Sequence, residues 1–272
     1  MNMNMAGASR AVSPWRTGLL ASGLLAALGI GACASNKPPP SHEPSRLSQA
    51  AAVNLQLGAG YLQQGNLALA KQKLERALSE DPHNPQIHST LGLLDERLGK
   101  DKEADQEYRT SLSLAPHDPA LLNNYAVFLC SHNRATEGVR NFEEAATNPL
   151  YRSPWAAFTN AGVCSRQAHH DAEAQELFVR ALRSNPSYAE AVYQASDLDF
   201  SQQKYAAARL RIDFYLMNNT SNADLLLLGW RLAQAQSDAT GADGYARRLA
   251  RDFPDSEQSR ALAASVANQN PR

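Results

Sequence analysis

One pattern recurs along the chain at a fixed interval, and it limits the fold more than any other feature. Leu57-Gly58-Ala59-Gly60-Tyr61 is followed by Gly65, Ala70, Leu74, Ala77 and Pro82, and Leu91-Gly92-Leu93-Leu94-Asp95 by Gly99, Ala104, Tyr108, Ser111 and Pro116. The interval between these copies is 34 residues. A third copy, Ala161-Gly162-Val163-Cys164-Ser165, runs on to Ala174, Phe178, Ala181 and Pro186. Small residues recur where two helices can cross closely, large apolar residues fill the gap, and a proline ends each unit because it cannot continue a helix. One such helix pair cannot bury its apolar face alone, so the fold has to be a stack in which each pair covers the next. Composition agrees, with 43% hydrophobic residues, only 7% aromatics and Ala, Leu and Gln recurring throughout, a mixture that favours helix.

The pattern resembles the tetratricopeptide repeat. That resemblance implies an all-α superhelix of about six helix-turn-helix repeats, at 51–84, 85–118, 119–154, 155–188, 189–222 and 223–256. Its concave face would be lined by the first helix of each pair. The two residues beyond a strict period fall at Asn148 to Pro154, where Pro149 and Pro154 bracket an irregular connection. Repeats 3, 5 and 6 are degenerate: repeat 3 has Ala126 where glycine is usual and Gly138 where alanine is usual. Residues 257–272 form a tail, expected to be helical through Leu262 and then to fray.

Ahead of the repeats the chain reads as an address and a tether. Arg10 and Arg16 precede an apolar run from Leu19 to Ile30, which is shorter than the roughly twenty residues a spanning helix needs and fits a signal-peptide core. Leu28-Gly29-Ile30-Gly31-Ala32-Cys33 resembles the bacterial lipobox. The likeness implies a signal peptide over 1–32 and an acylated Cys33 at the start of a Pro-rich tether over 33–50. With Pro38, Pro39, Pro40 and Pro44, the tether is stiff and extended and reaches roughly 45 Å. Ala34 follows the cysteine where aspartate marks inner-membrane retention in many Gram-negative lipoproteins, so outer-membrane anchoring, facing the periplasm, is the expectation.

Positions 2, 5, 9, 12 and 13 of the first helices give the expected groove: Ala52, Leu55, Ala59, Leu62 and Gln63 in repeat 1, Gln86, Ser89, Leu93, Glu96 and Arg97 in repeat 2, and Ala120, Asn123, Val127, Cys130 and Ser131 in repeat 3. An apolar groove rimmed by polar groups marks an interaction site, here for an extended or helical apolar segment, unless the tether or tail covers it. Charges at Leu55 and Leu62 would then abolish capture without unfolding the domain. Repeats that clamp a C-terminal carboxylate place cations where this chain has Leu55, Ala59, Thr90, Ala120 and Asn124, so that mode of binding is not expected.

Cys130 and Cys164 lie 34 residues apart on first helices of adjacent repeats. A disulfide and a pair of small buried thiols are both compatible with that placement. No glycine-rich phosphate loop, no metal-spaced histidine pair and no ordered nucleophile set occur, and His169-His170 fall at a repeat turn. A non-enzymatic protein without cofactor or metal is expected. The formal charge of −1 gives no basic surplus for nucleic acid.

The architecture as a whole resembles the type IV pilus biogenesis/stability lipoproteins, the PilF/PilW-type pilotins. The likeness runs from Cys33 to about Leu262 and rests on Leu121-Leu122-Asn123-Asn124-Tyr125-Ala126-Val127-Phe128-Leu129-Cys130, on Asn148-Pro149-Leu150-Tyr151, and on Arg251-Asp252-Phe253-Pro254-Asp255-Ser256. It implies an outer-membrane lipoprotein that promotes localisation and multimerisation of the pilus secretin and so supports twitching motility; separately from the resemblance, a monomer is expected. A tetratricopeptide lipoprotein of another envelope system, such as outer-membrane or peptidoglycan assembly, is the alternative.

Overall fold

The computed structural model describes residues 46 to 269. The signal peptide, the lipid site at Cys33 and most of the tether lie outside the described residues. Thirteen helices are present among the described residues, twelve of them in six pairs: α1 (Arg46–Gln63) with α2 (Leu67–Glu80), α3 (Pro85–Arg97) with α4 (Asp101–Leu114), α5 (Pro119–Ser131) with α6 (Ala135–Thr147), α7 (Pro154–Gln167) with α8 (Asp171–Ser184), α9 (Ala189–Ser201) with α10 (Tyr205–Asn218), and α11 (Ala223–Ala235) with α12 (Ala239–Asp252). The last helix, α13 (Glu257–Gln269), closes the stack against α11 and α12. The fold is the all-α tetratricopeptide superhelix.

Local chemistry sets those boundaries. Pro85, Pro119 and Pro154 occupy the first turn of α3, α5 and α7, where a missing N–H costs nothing. Asn84 and Asp118 cap the first two of these through their side-chain oxygens. The capping residues Asp81, Ala115, Asn148, Asn185 and Phe253 each precede a proline. Every first helix ends on one left-handed residue at the same repeat position: Gly65, Gly99, Asn133, His169, Gln203 and Ser237. Only the first two use glycine, so the stack tolerates a modest backbone strain at each of the other four turns.

Two ends differ from the sequence expectation. Helix α1 begins at Arg46, five residues inside the stretch assigned to the tether, because Pro44 is the last proline before Pro82. Helix α13 runs to Gln269 instead of fraying after Leu262. Its alanine-rich sequence favours helix, Leu262 packs on the carboxy-terminal core, and Gln258 donates to Asp224 at 2.6 Å.

The core runs between the paired helices. Ala70, Leu74, Ala77, Ile87 and Leu94 fill it at one end, and Ile212, Leu225, Leu228, Leu232 and Leu249 at the other. Close crossings need glycine: a Cβ on Gly162 would stand 2.4 Å from the Phe178 ring. Repeat 3 reverses the usual order, with Ala126 in the first helix and Gly138 in the second, and the structure explains the exchange. A Cβ on Gly138 would stand 2.4 Å from the Cys130 sulfur and 3.0 Å from the Ala126 carbonyl. The missing methyl is the space the sulfur occupies. Replacing Gly138 with alanine should therefore lower stability by roughly 1–3 kcal/mol, although alanine is the better helix former. A lowered urea midpoint checks this, and an unchanged or raised one contradicts it.

A candidate protein-docking face

The face presented by α3, α5 and α7 carries the exposed apolar side chains Leu93 and Val127 and the half-buried Val163. They recur because the ninth position of each first helix points away from its own second helix. Between α5 and α7 lies a hollow of about 280 Å³ lined by Val127, Cys130, Ser131, Asn160, Val163, Cys164 and Gln167, with Phe142 at its base. Cys130 and Cys164 are joined by a disulfide in this structure, with Cα atoms 5.6 Å apart. The bridge ties adjacent repeats together directly beneath the hollow.

Other junctions along the same face are held by polar contacts. Asn124 donates to the Ser89 hydroxyl at 3.2 Å, and Arg166 to Asp197 at 2.8 Å. The Arg231 guanidinium stacks 5.1 Å above the Phe200 ring, an attraction between cation and ring face. Behind α5, Tyr125 and Arg134 both donate to Asp105, at 2.8 and 2.6 Å. Burial works against the Asp105 charge, but those two bonds together with the charges of Arg109 and Arg134 outweigh it and hold the carboxyl below the ordinary range. Further along, burial and then the carboxylates of Asp197, Asp224 and Glu190 push the Tyr193 phenol upward, away from neutral pH. These are groups that fix shape and charge rather than groups poised to exchange protons. Among the described residues no set of three or more His, Cys, Asp or Glu side chains is arranged to hold a metal ion.

The expected groove residues divide. Ala52, Gln63, Leu93, Arg97 and Val127 are exposed, and Leu55, Ala59 and Asn123 are half-buried. Leu62 is only 3% exposed and packs in the amino-terminal core with Leu74, Leu91 and Leu94, so it is not a groove residue. Position 12 rotates inward in that repeat, where α2 and α3 converge. Ser89 is 4% exposed, since Asn124 from the next repeat lies over it, and it too serves the junction rather than the surface. A charge at Leu62 would therefore test folding and not docking. The residues missed were Asn160, Val163 and Gln167; extending the same register into repeat 4 gives Val163 and Gln167 at positions 9 and 13, whereas Asn160 falls at position 6, outside it.

A tetratricopeptide-repeat family model matches residues 61–123. The type IV pilus assembly protein PilF of Pseudomonas aeruginosa is 34% identical over 233 residues, covering 85% of this chain and 92% of that protein. The chain belongs to the PilF family of type IV pilus assembly proteins. The solved structure of P. aeruginosa PilF aligns with a TM-score of 0.63 at 33% identity, covering 80% of this chain and 99% of the other. That of PilW, described as a widely conserved type IV pilus biogenesis factor, aligns at 0.64 with 28% identity, covering 79% and 99%. The PilF likeness therefore spans the helical stack and not one repeat. Tetratricopeptide scaffolds such as PilF and PilW are protein-interaction modules.

Proposed function

We propose that this chain is an outer-membrane lipoprotein of type IV pilus biogenesis that acts as a pilotin for the pilus secretin. The carrying observation is the run of exposed Leu93, Val127 and half-buried Val163 over a bridged floor, in a chain of the PilF family. A contiguous apolar strip rimmed by polar groups marks an interaction site, and one that recurs at a single position of successive helices fits an extended or helical apolar segment. On this reading the secretin supplies that segment, which would otherwise expose apolar surface before assembly.

The lipid on Cys33 would hold the scaffold at the membrane the secretin must enter. Tethering raises the effective concentration of captured subunits there without any new contact. The mechanism is physical, with no covalent step.

The test is genetic. Deleting the gene should remove heat-stable secretin multimers and twitching, and a Cys33→Ser chain should leave the membrane fraction and fail to restore either. Unchanged multimers in the deletion strain would refute the pilotin reading.

A further inference from the structure

The second helices form the outer wall of the stack, and their three outermost positions can be compared repeat by repeat. They hold Gln72, Arg76 and Ser79 in α2, Gln106, Thr110 and Ser113 in α4, and Arg140, Glu144 and Thr147 in α6. They hold Glu176, Arg180 and Arg183 in α8, and Gly244, Arg248 and Arg251 in α12. In α10 alone of these helices the same three positions are Leu210, Phe214 and Met217, which are 73%, 59% and 77% exposed. The fold does not need them to be apolar, because five sister helices build the same wall with polar residues and one glycine. Nor does α10 lack a core face, since Ala208, Ile212, Tyr215 and Leu216 are buried on its other side. The stripe is an addition to the fold.

We propose that the outer face of α10 is a two-fold contact between two copies of this chain. Leu210, Phe214 and Met217 are spaced four and three residues apart, so they form one line along the helix. In an antiparallel pair about a two-fold axis beside Phe214, Leu210 of each copy meets Met217 of the other, and the two Phe214 rings meet near the axis. An isologous contact demands this reciprocity.

The charges beside the stripe obey the same symmetry. On α8, whose end shares a notch with Phe214, Glu176 and Arg183 hold the repeat positions that Leu210 and Met217 hold on α10, one 34-residue period earlier. Both make no ion pair among the described residues. The antiparallel arrangement brings Glu176 of one copy to Arg183 of the other, on the same side of the apolar line. The remaining arginines level with Phe214 are already engaged, Arg180 by Glu143 and Arg248 by Asp252. A notch of about 130 Å³ beside Phe214, lined by Leu182, Pro186, Val192, Tyr215 and the Arg211 stem, whose guanidinium pairs with Asp199, gives an apolar side chain of the other copy a place to enter. The stripe exposes on the order of 400 Å² per copy, which with its rim places the contact at the lower end of specific interfaces. The dimer is therefore reversible, and the monomer expected from sequence is its dilute form.

Sedimentation equilibrium of the full chain over a roughly hundredfold concentration range tests this. The expected result is a monomer–dimer equilibrium that Phe214→Asp weakens at least tenfold with an unchanged helical circular-dichroism signal. Glu176→Arg and Arg183→Glu should each weaken it, and the double exchange should restore it. A chain that stays monomeric throughout overturns the proposal. So does a dimer that survives Phe214→Asp, or a double exchange that is no better than the single ones.

Discussion

Glutamate at Leu62 should unfold the amino-terminal repeats, whereas glutamate at Leu93 should leave them folded and abolish capture of the pilus partner. Sequence register places both side chains in the groove; packing separates them. Leu62 sits among Leu74, Leu91 and Leu94 in the seam joining the first three helices. Removing it forfeits roughly 2–3 kcal/mol of apolar burial, and a carboxylate left in that seam adds several kcal/mol more. The sum approaches the whole stability of an ordinary domain, about 5–15 kcal/mol. Because each repeat contacts only its neighbours, the loss unzips the amino-terminal end first. Hydrogen exchange should show α1 and α2 unprotected while α11 and α12 stay protected. Leu93, on the open face, costs a few tenths of a kcal/mol to replace, so its effect is read in co-purification with the secretin. Undiminished capture by the Leu93→Glu chain would rule out this face as the docking site.

Removing the Cys130–Cys164 bridge is expected to cost about 4 kcal/mol. The bond closes a loop of 34 residues, and the chain-entropy relation for that length gives this magnitude. Its position makes the effect local, because it joins α5 to α7 across the irregular connection, where the two extra residues interrupt the period. Cys130→Ser with Cys164→Ser should lower the urea midpoint and raise exchange in α5, α6 and α7 ahead of the other helices. The hollow between Val127 and Val163 should lose definition with it, since the bridge forms its floor. Reductant should reproduce the effect in the parent chain and add nothing to the double variant. Equal midpoints for the two chains would show that packing alone sets the spacing of these repeats.

Much of the site was legible without coordinates, and the failures have a common cause. Leu93 and Val127 were found because one position of each first helix faces away from its partner in every repeat. Leu62 and Ser89 follow the same spacing yet are buried, because what a helix position meets depends on where the neighbouring repeat lies. The α10 stripe shows the reverse. Aligning the outer positions of the six second helices exposes Leu210, Phe214 and Met217 as anomalies from sequence alone, but only the structure shows that nothing in the stack covers them.

The amino-acid order by itself determined the stack of helix pairs, its 34-residue period and its family resemblance. Those rest on local physics: helical periodicity, prolines that stop helices, and small residues at crossings. The tertiary structure decided which of two equally spaced leucines is core, why Gly138 stands where alanine is usual, and that α13 seals the carboxy-terminal end. Each of these depends on the distance between residues far apart in the chain, and that distance is set only when the repeats stack.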